Sequence, residues 1–233
     1  MIINTEAIVL HSRRYSDSSR IVTLFTKDLG KVAVVARGAR TPKSPFGSSL
    51  EPLGHIRATI YHGRMRDMHT ISAAEPVALR RRITSSLAML EAGLLMCDLV
   101  MRTHVQEGPD ERVFELLRDA LAEMDTSEED VAYSIALGMR LRCADIMGFG
   151  LPGSHAPDGP VVRVDLTDGV ARPDGAAGFH LSRAVYEIIL RVLRGERLAV
   201  APQDHLECES FLSLYFSHHL DRRVPAKAPY ISK

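Results

Sequence analysis

Cysteine is scarce in this 233-residue chain: Cys97, Cys143 and Cys208 are all there are. An odd number, scattered through helix-like sequence, points away from disulfides and metal ligation and toward small buried core residues. Long apolar runs are missing as well. None approaches the roughly 20 residues of a membrane-spanning helix. The opening Met1-Ile2-Ile3-Asn4-Thr5-Glu6 lacks the charged-then-apolar layout of a signal peptide. A cytoplasmic protein with no membrane partner is therefore expected. Catalytic signatures are absent too: there is no P-loop, nucleophile elbow or His-Glu-x-x-His. The run Gly148 to Gly153 matches G-x-G-x-x-G in letters. A dinucleotide fingerprint must follow a strand and open a helix, whereas this run ends a helical pattern and contains Pro152. The ten histidines are dispersed, and the adjacent His218 and His219 cannot share a helix face. Neither an enzyme nor a metal site is expected.

Net charge is also lacking, with 29 Lys and Arg against 29 Asp and Glu. The zero hides a split. Residues 1–82 carry 14 basic and 6 acidic residues, a net of +8, and residues 83–233 carry the other 15 and 23, a net of −8. Such asymmetry suggests a basic module that meets nucleic acid and an acidic body with another task.

Hydrophobic periodicity divides the chain at the same place. Short β-rich runs fall at Ala7–His11, Ile21–Thr26, Lys31–Arg37, His55–His62 and about Met68–Ala73, with the turn Lys27-Asp28-Leu29-Gly30 between the second and third. Five short strands without helical period fit a small closed barrel, and an OB-like barrel leaves no exposed edge. After Pro76 the period becomes helical. Ile83, Leu87, Leu90, Leu94 and Met101 predict one amphipathic helix of about 20 residues. Val113, Phe114, Leu117 and Leu121 mark the next, opened by Gly108-Pro109-Asp110, and a third is capped by Thr126 or Ser127 and runs to Gly148. The Gly- and Pro-rich stretch 149–180 offers a hairpin, Val161–Leu166 with Val170–Arg172, and two further helices cover Ser182–Arg194 and about Asp204–Leu220. The tail from Asp221 is expected to fray. The expected fold is α+β: an OB-like five-stranded barrel over residues 1–78, then a helical domain over 79–233 with a small inserted β-hairpin.

The candidate nucleic-acid-binding residues are Arg13, Arg14, Arg20, Lys31, Arg37, Arg40, Lys43, Arg57, Arg64 and Arg66. Several fall in loops near the face where OB barrels hold single strands. Arg80, Arg81 and Arg82 stand at the domain join. Aromatic platforms are few: Tyr15, Phe46 and Tyr61 are candidates for base stacking, while Phe25 reads as core. With so few, affinity should come mainly from counterion release and depend steeply on salt. Two other readings stay open: an RNA-binding OB-fold adaptor, and a non-catalytic protein-binding scaffold whose basic half meets an acidic protein.

The sequence also resembles a known family. Ala7-Ile8-Val9-Leu10, Tyr15 to Ser19, Phe25 to Gly30, Ala36-Arg37-Gly38-Ala39-Arg40 with Lys43-Ser44, and Leu50-Glu51-Pro52-Leu53 are similar to the RecO recombination-mediator family. The resemblance covers nearly the whole chain, and it implies an N-terminal OB domain, a helical domain and no enzymatic turnover. It also implies binding of single- and double-stranded DNA, annealing of complementary strands, and loading of the RecA recombinase onto DNA coated by single-strand-binding protein, together with RecR. Contact with the acidic C-terminal tail of single-strand-binding protein and a bacterial, nucleoid-associated setting follow from the same resemblance. Arg37, Arg40 and Lys43 match the family's basic strand-and-loop motif. One departure stands out. Many members carry two Cys-x-x-Cys pairs that hold zinc, and residues 148–178 here contain no cysteine, so no cofactor is expected in that segment.

Overall fold

The computed structural model describes residues 1–63, 68–155, 157–172 and 177–221. Its first five elements are strands: β1 (Ile2–Arg14), β2 (Arg20–Thr26), β3 (Gly30–Ala36), β4 (His55–Tyr61) and β5 (His69–Ala78). They close into a barrel in the order β1-β2-β3-β5-β4, with β4 returning to β1. One long strand makes closure possible: Ile2–Ile8 pair with β4, and Ala7–Arg14 pair with β2 past an irregularity between Val9 and His11. The seam is parallel and short, Val34 opposite His69 and Val35 opposite Thr70.

Side chains alternate across the strands as the period of two requires. Val9, Val22, Leu24, Val32, Val34, Ala58, Ile60 and Ile71 point inward and form the barrel core. The outer face is not uniformly polar. Ile8, Phe25 and His55 are buried there too, because helices lie over that side. Four helices follow the barrel: α1 (Arg81–Ser85), α2 (Leu87–Thr103), α3 (Glu111–Met124) and α4 (Ala132–Ile146). Phe114 of α3 meets Phe25 at 6.2 Å and His55 at 6.4 Å between ring centroids.

The single helix expected after Ile83 is broken at Ser86. The Ser86 hydroxyl accepts the Met89 amide and caps α2, a role that extended backbone at this position favours over helix interior. Asp110 caps α3, its carboxylate accepting the amides of Arg112 and Val113. Thr126 and Ser127 do not cap the following helix. Their hydroxyls donate back to the Glu123 carbonyl and finish α3, and a 3-10 turn, Glu129–Val131, then leads into α4.

By packing, the chain divides into two compact units, Met1–Arg140 and Leu141–Lys233, so the helices α1 to α3 belong with the barrel they cover. In the second unit the expected hairpin gains a strand: β6 (Val161–Val164), β7 (Ala171–Arg172) and β8 (Phe179–Ser182) form a sheet ordered β7-β6-β8. Ser182 caps α5 (Arg183–Leu193), and α6 (Pro202–Asp221) follows. Cys97, Cys143 and Cys208 are buried thiols, and burial pushes the Cys97 thiol up to about 12, as suits inert core residues. Among the described residues no helix is long and apolar enough to cross a membrane.

Candidate nucleic-acid interface

Two loops at one end of the barrel are stitched together. The β1–β2 loop is tight, with the Tyr15 amide donating to the Ser19 carbonyl at 3.1 Å. The loop after β3 turns at Gly38, whose left-handed backbone (φ 71) suits a residue without Cβ. The Arg40 amide donates to Ser18 O at 3.1 Å and its guanidinium to Ser16 O at 2.6 Å. Arg40 thus holds the two loops in one surface. Phe46 and Leu50, further along the same loop, enter the barrel core and plug its end.

Around this join the exposed cations are Arg13, Arg14, Arg37 and Lys43, with Tyr15 58% exposed beside them. Among the described residues no carboxylate lies within ion-pair distance of these four. A lateral row connects the cluster with β4. Arg13 is opposite Ile21, Ile21 opposite Val35, Val35 opposite Thr70, and Thr70 opposite Tyr61. Residues in register share a face, so Arg13 and the exposed Tyr61 both stand on the outside of the barrel, the row running round four of its five strand junctions.

Other sequence candidates are differently employed. Phe46 is only 4% exposed. Its ring fills the barrel end and is corrected from stacking platform to core. The spacing Phe46 to Leu50 in an otherwise polar loop is the signal that could have identified a plug. Lys31 is corrected too: its ammonium donates to the Met101 carbonyl at 2.6 Å at the end of α2, and burial lowers its pKa. Arg20 pairs with Glu51 at 2.7 Å and also reaches Ser12. Arg57 is exposed but lies mid-strand, in register between Glu6 and Glu75, away from the joined loops. Of the join residues, Arg80 is buried and donates to the Arg118 carbonyl, and Arg82 reaches Ser127 O and Glu128. Arg64 and Arg66 lie outside the described residues.

The second unit holds a shallow cavity of about 270 Å³ lined by His155, Arg183, Glu187, Leu190, Arg191 and Arg194. Arg183 is engaged by the carbonyls of Pro157 and Gly159, and Arg191 by Glu196 at 2.7 Å. Arg194 is exposed beside the buried Leu190.

Comparison with known proteins gives a concordant picture. The family model described as "Recombination protein O N terminal" matches residues 1–80, and "Recombination protein O C terminal" matches residues 85–228. The chain is 30% identical to the DNA repair protein RecO of Salinibacter ruber, covering 97% of this chain and 92% of that protein. It is 28% identical to the DNA repair protein RecO of Symbiobacterium thermophilum, covering 97% and 95%. With that of Thermobifida fusca the identity is 28%, over 94% of each chain.

Proposed function

The chain belongs to the recombination protein O (RecO) family, a family of DNA repair and recombination, and on that premise we propose that residues 1–78 are its DNA-binding module. The observation that carries this reading is the set of exposed cations Arg13 and Arg14 at the end of β1 and Arg37 and Lys43 on the loop after β3, which among the described residues have no carboxylate partner, beside two loops that Arg40 fastens together. Phosphates of single- or double-stranded DNA would take the place of solvent around them, releasing counterions, while bases go largely unread. Screening of phosphate repulsion between two strands on such a surface favours annealing of complementary strands without any catalysed step. Residues 79–233 serve as a partner-binding body that acts with RecR in loading RecA. The acidic tail of single-strand-binding protein fits the cavity of the second unit, where Arg194 offers a charge beside Leu190. The segment 148–178, which lacks the paired cysteines of many family members, works without the zinc those cysteines hold.

The test is a salt titration of fluorescent single-stranded DNA against the full chain. Arg37→Glu with Lys43→Glu should weaken binding about tenfold or more and flatten the dependence of log affinity on log salt by about 1–2. Circular dichroism should be unchanged. Unaltered affinity and slope would remove the joined loops from the interface.

A further inference from the structure

β4 and β5 are joined by a segment that begins and ends in histidine, and both rings turn to one glutamate on the α2–α3 connection. His62 Nε2 lies 3.2 Å and His69 Nε2 lies 2.9 Å from the same oxygen, Glu107 Oε1. The imidazoles stack with centroids 4.2 Å apart at 27°. His69 is 3% exposed. Glu107 is held from behind, its amide donating to the Lys31 carbonyl at 2.9 Å, in a left-handed conformation (φ 55). That conformation is unusual for a residue with a Cβ. The two hydrogen bonds draw down the carboxyl's pKa, His69 more than His62.

Three ligand atoms converge here, one from each side chain and all within 4.8 Å of one another. Donors around a tetrahedral zinc ion sit about 2.0–2.1 Å from the metal and hence about 3.3 Å from each other. Both nitrogen–oxygen separations, 3.2 and 2.9 Å, fall short of that value by only a few tenths of an ångström. Imidazole nitrogens with one carboxylate oxygen form a borderline donor set suited to zinc-class divalent ions and poorly suited to calcium or magnesium.

We propose that His62, His69 and Glu107 bind one divalent transition-metal ion of the zinc class, through the two Nε2 atoms and Oε1. The remaining position is left to water or an incoming oxygen ligand. The ion takes the place of the Nε2 protons. His69 Nδ1 would then carry the ring proton, at the expense of the long hydrogen bond, 3.4 Å, that it accepts from the Gly63 amide. Among the described residues the buried His62 Nδ1 has no hydrogen-bond partner, and this ring's hydrogen bond runs through Nε2. The bound ion would tie both ends of the β4–β5 connection, which carries Arg64 and Arg66 in sequence, to the α2–α3 connection. The site belongs to the barrel unit and uses no cysteine, so it is separate from the zinc module of related chains.

The full chain, stripped with chelator and titrated with Co²⁺, should take up one equivalent with visible d–d absorption that Zn²⁺ abolishes. Zn²⁺ should also raise its thermal unfolding midpoint. Glu107→Gln and His69→Gln, which can still hydrogen-bond and should keep the wild-type circular dichroism, should each weaken uptake about tenfold or more. Absence of Co²⁺ uptake, or uptake undiminished in both variants, would reduce the cluster to a hydrogen-bonded clasp and overturn the proposal.

Discussion

Lys31 and Arg37 bracket the same strand, yet their surroundings give the two charges opposite roles. Lys31 is committed to the Met101 carbonyl and partly desolvated, so its ammonium closes the end of α2. Arg37 stands in solvent beyond the last paired residue of β3, which leaves its charge available to a phosphate. The aromatic residues divide in the same way. Truncating a buried ring removes its transfer energy and leaves a cavity, so Phe46→Ala should destabilise the fold by about 3–5 kcal/mol. Tyr15→Ala removes an exposed ring and should leave stability nearly unchanged while weakening single-stranded DNA binding by about 1–3 kcal/mol. Urea unfolding together with anisotropy titration separates the two. A reversed pattern would return Phe46 to the surface and put Tyr15 in the core.

Elements of the first unit meet through backbone as well as side chains. β3 starts at Gly30 (φ 70), where an added Cβ would stand 2.2 Å from the Gly108 carbonyl oxygen. The Glu107 amide is bonded to the next residue of the strand, Lys31. The strand and the α2–α3 connection are therefore packed backbone to backbone. Gly30→Ala faces both the left-handed conformation and this overlap, and should cost about 2 kcal/mol or more, read as a lowered urea midpoint. A neutral result would mean that the connection can retreat from the barrel. Strand and helix identities were largely legible in the sequence, because alternation and helical period are local patterns. The breaks were less so. Ser86 interrupts a stripe that reads as one helix, and β8 lies beyond the hairpin signal, since caps and third strands depend on neighbours that no window contains.

For the molecule as a whole, two histidines, the buried His55 and the half-buried His104, link folding to pH. Burial lowers the pKa of His55, against the opposing hydrogen bond that its ring makes to the Glu6 carboxylate, and lowers that of His104, against Asp110. In the unfolded chain both imidazoles would take up protons near pH 6.5. The unfolded state thus binds more protons below that pH, and stability falls as the solution is acidified through the window beneath it. The thermal midpoint should drop between pH 7.5 and 5.5, and His55→Gln with His104→Gln should reduce the drop. An equal drop in the double variant would assign the effect to other groups. The sequence by itself determined the small barrel, the helical remainder, the separation of positive from negative charge and the cysteine-free 148–178 segment, because composition and period are carried by neighbours along the chain. Tertiary structure alone decided which cations pair with carboxylates among the described residues, that Phe46 turns inward, and that His62 and His69 meet Glu107. Those outcomes depend on residues far apart in sequence being folded onto one another, and the spacing of letters does not record the path of the chain.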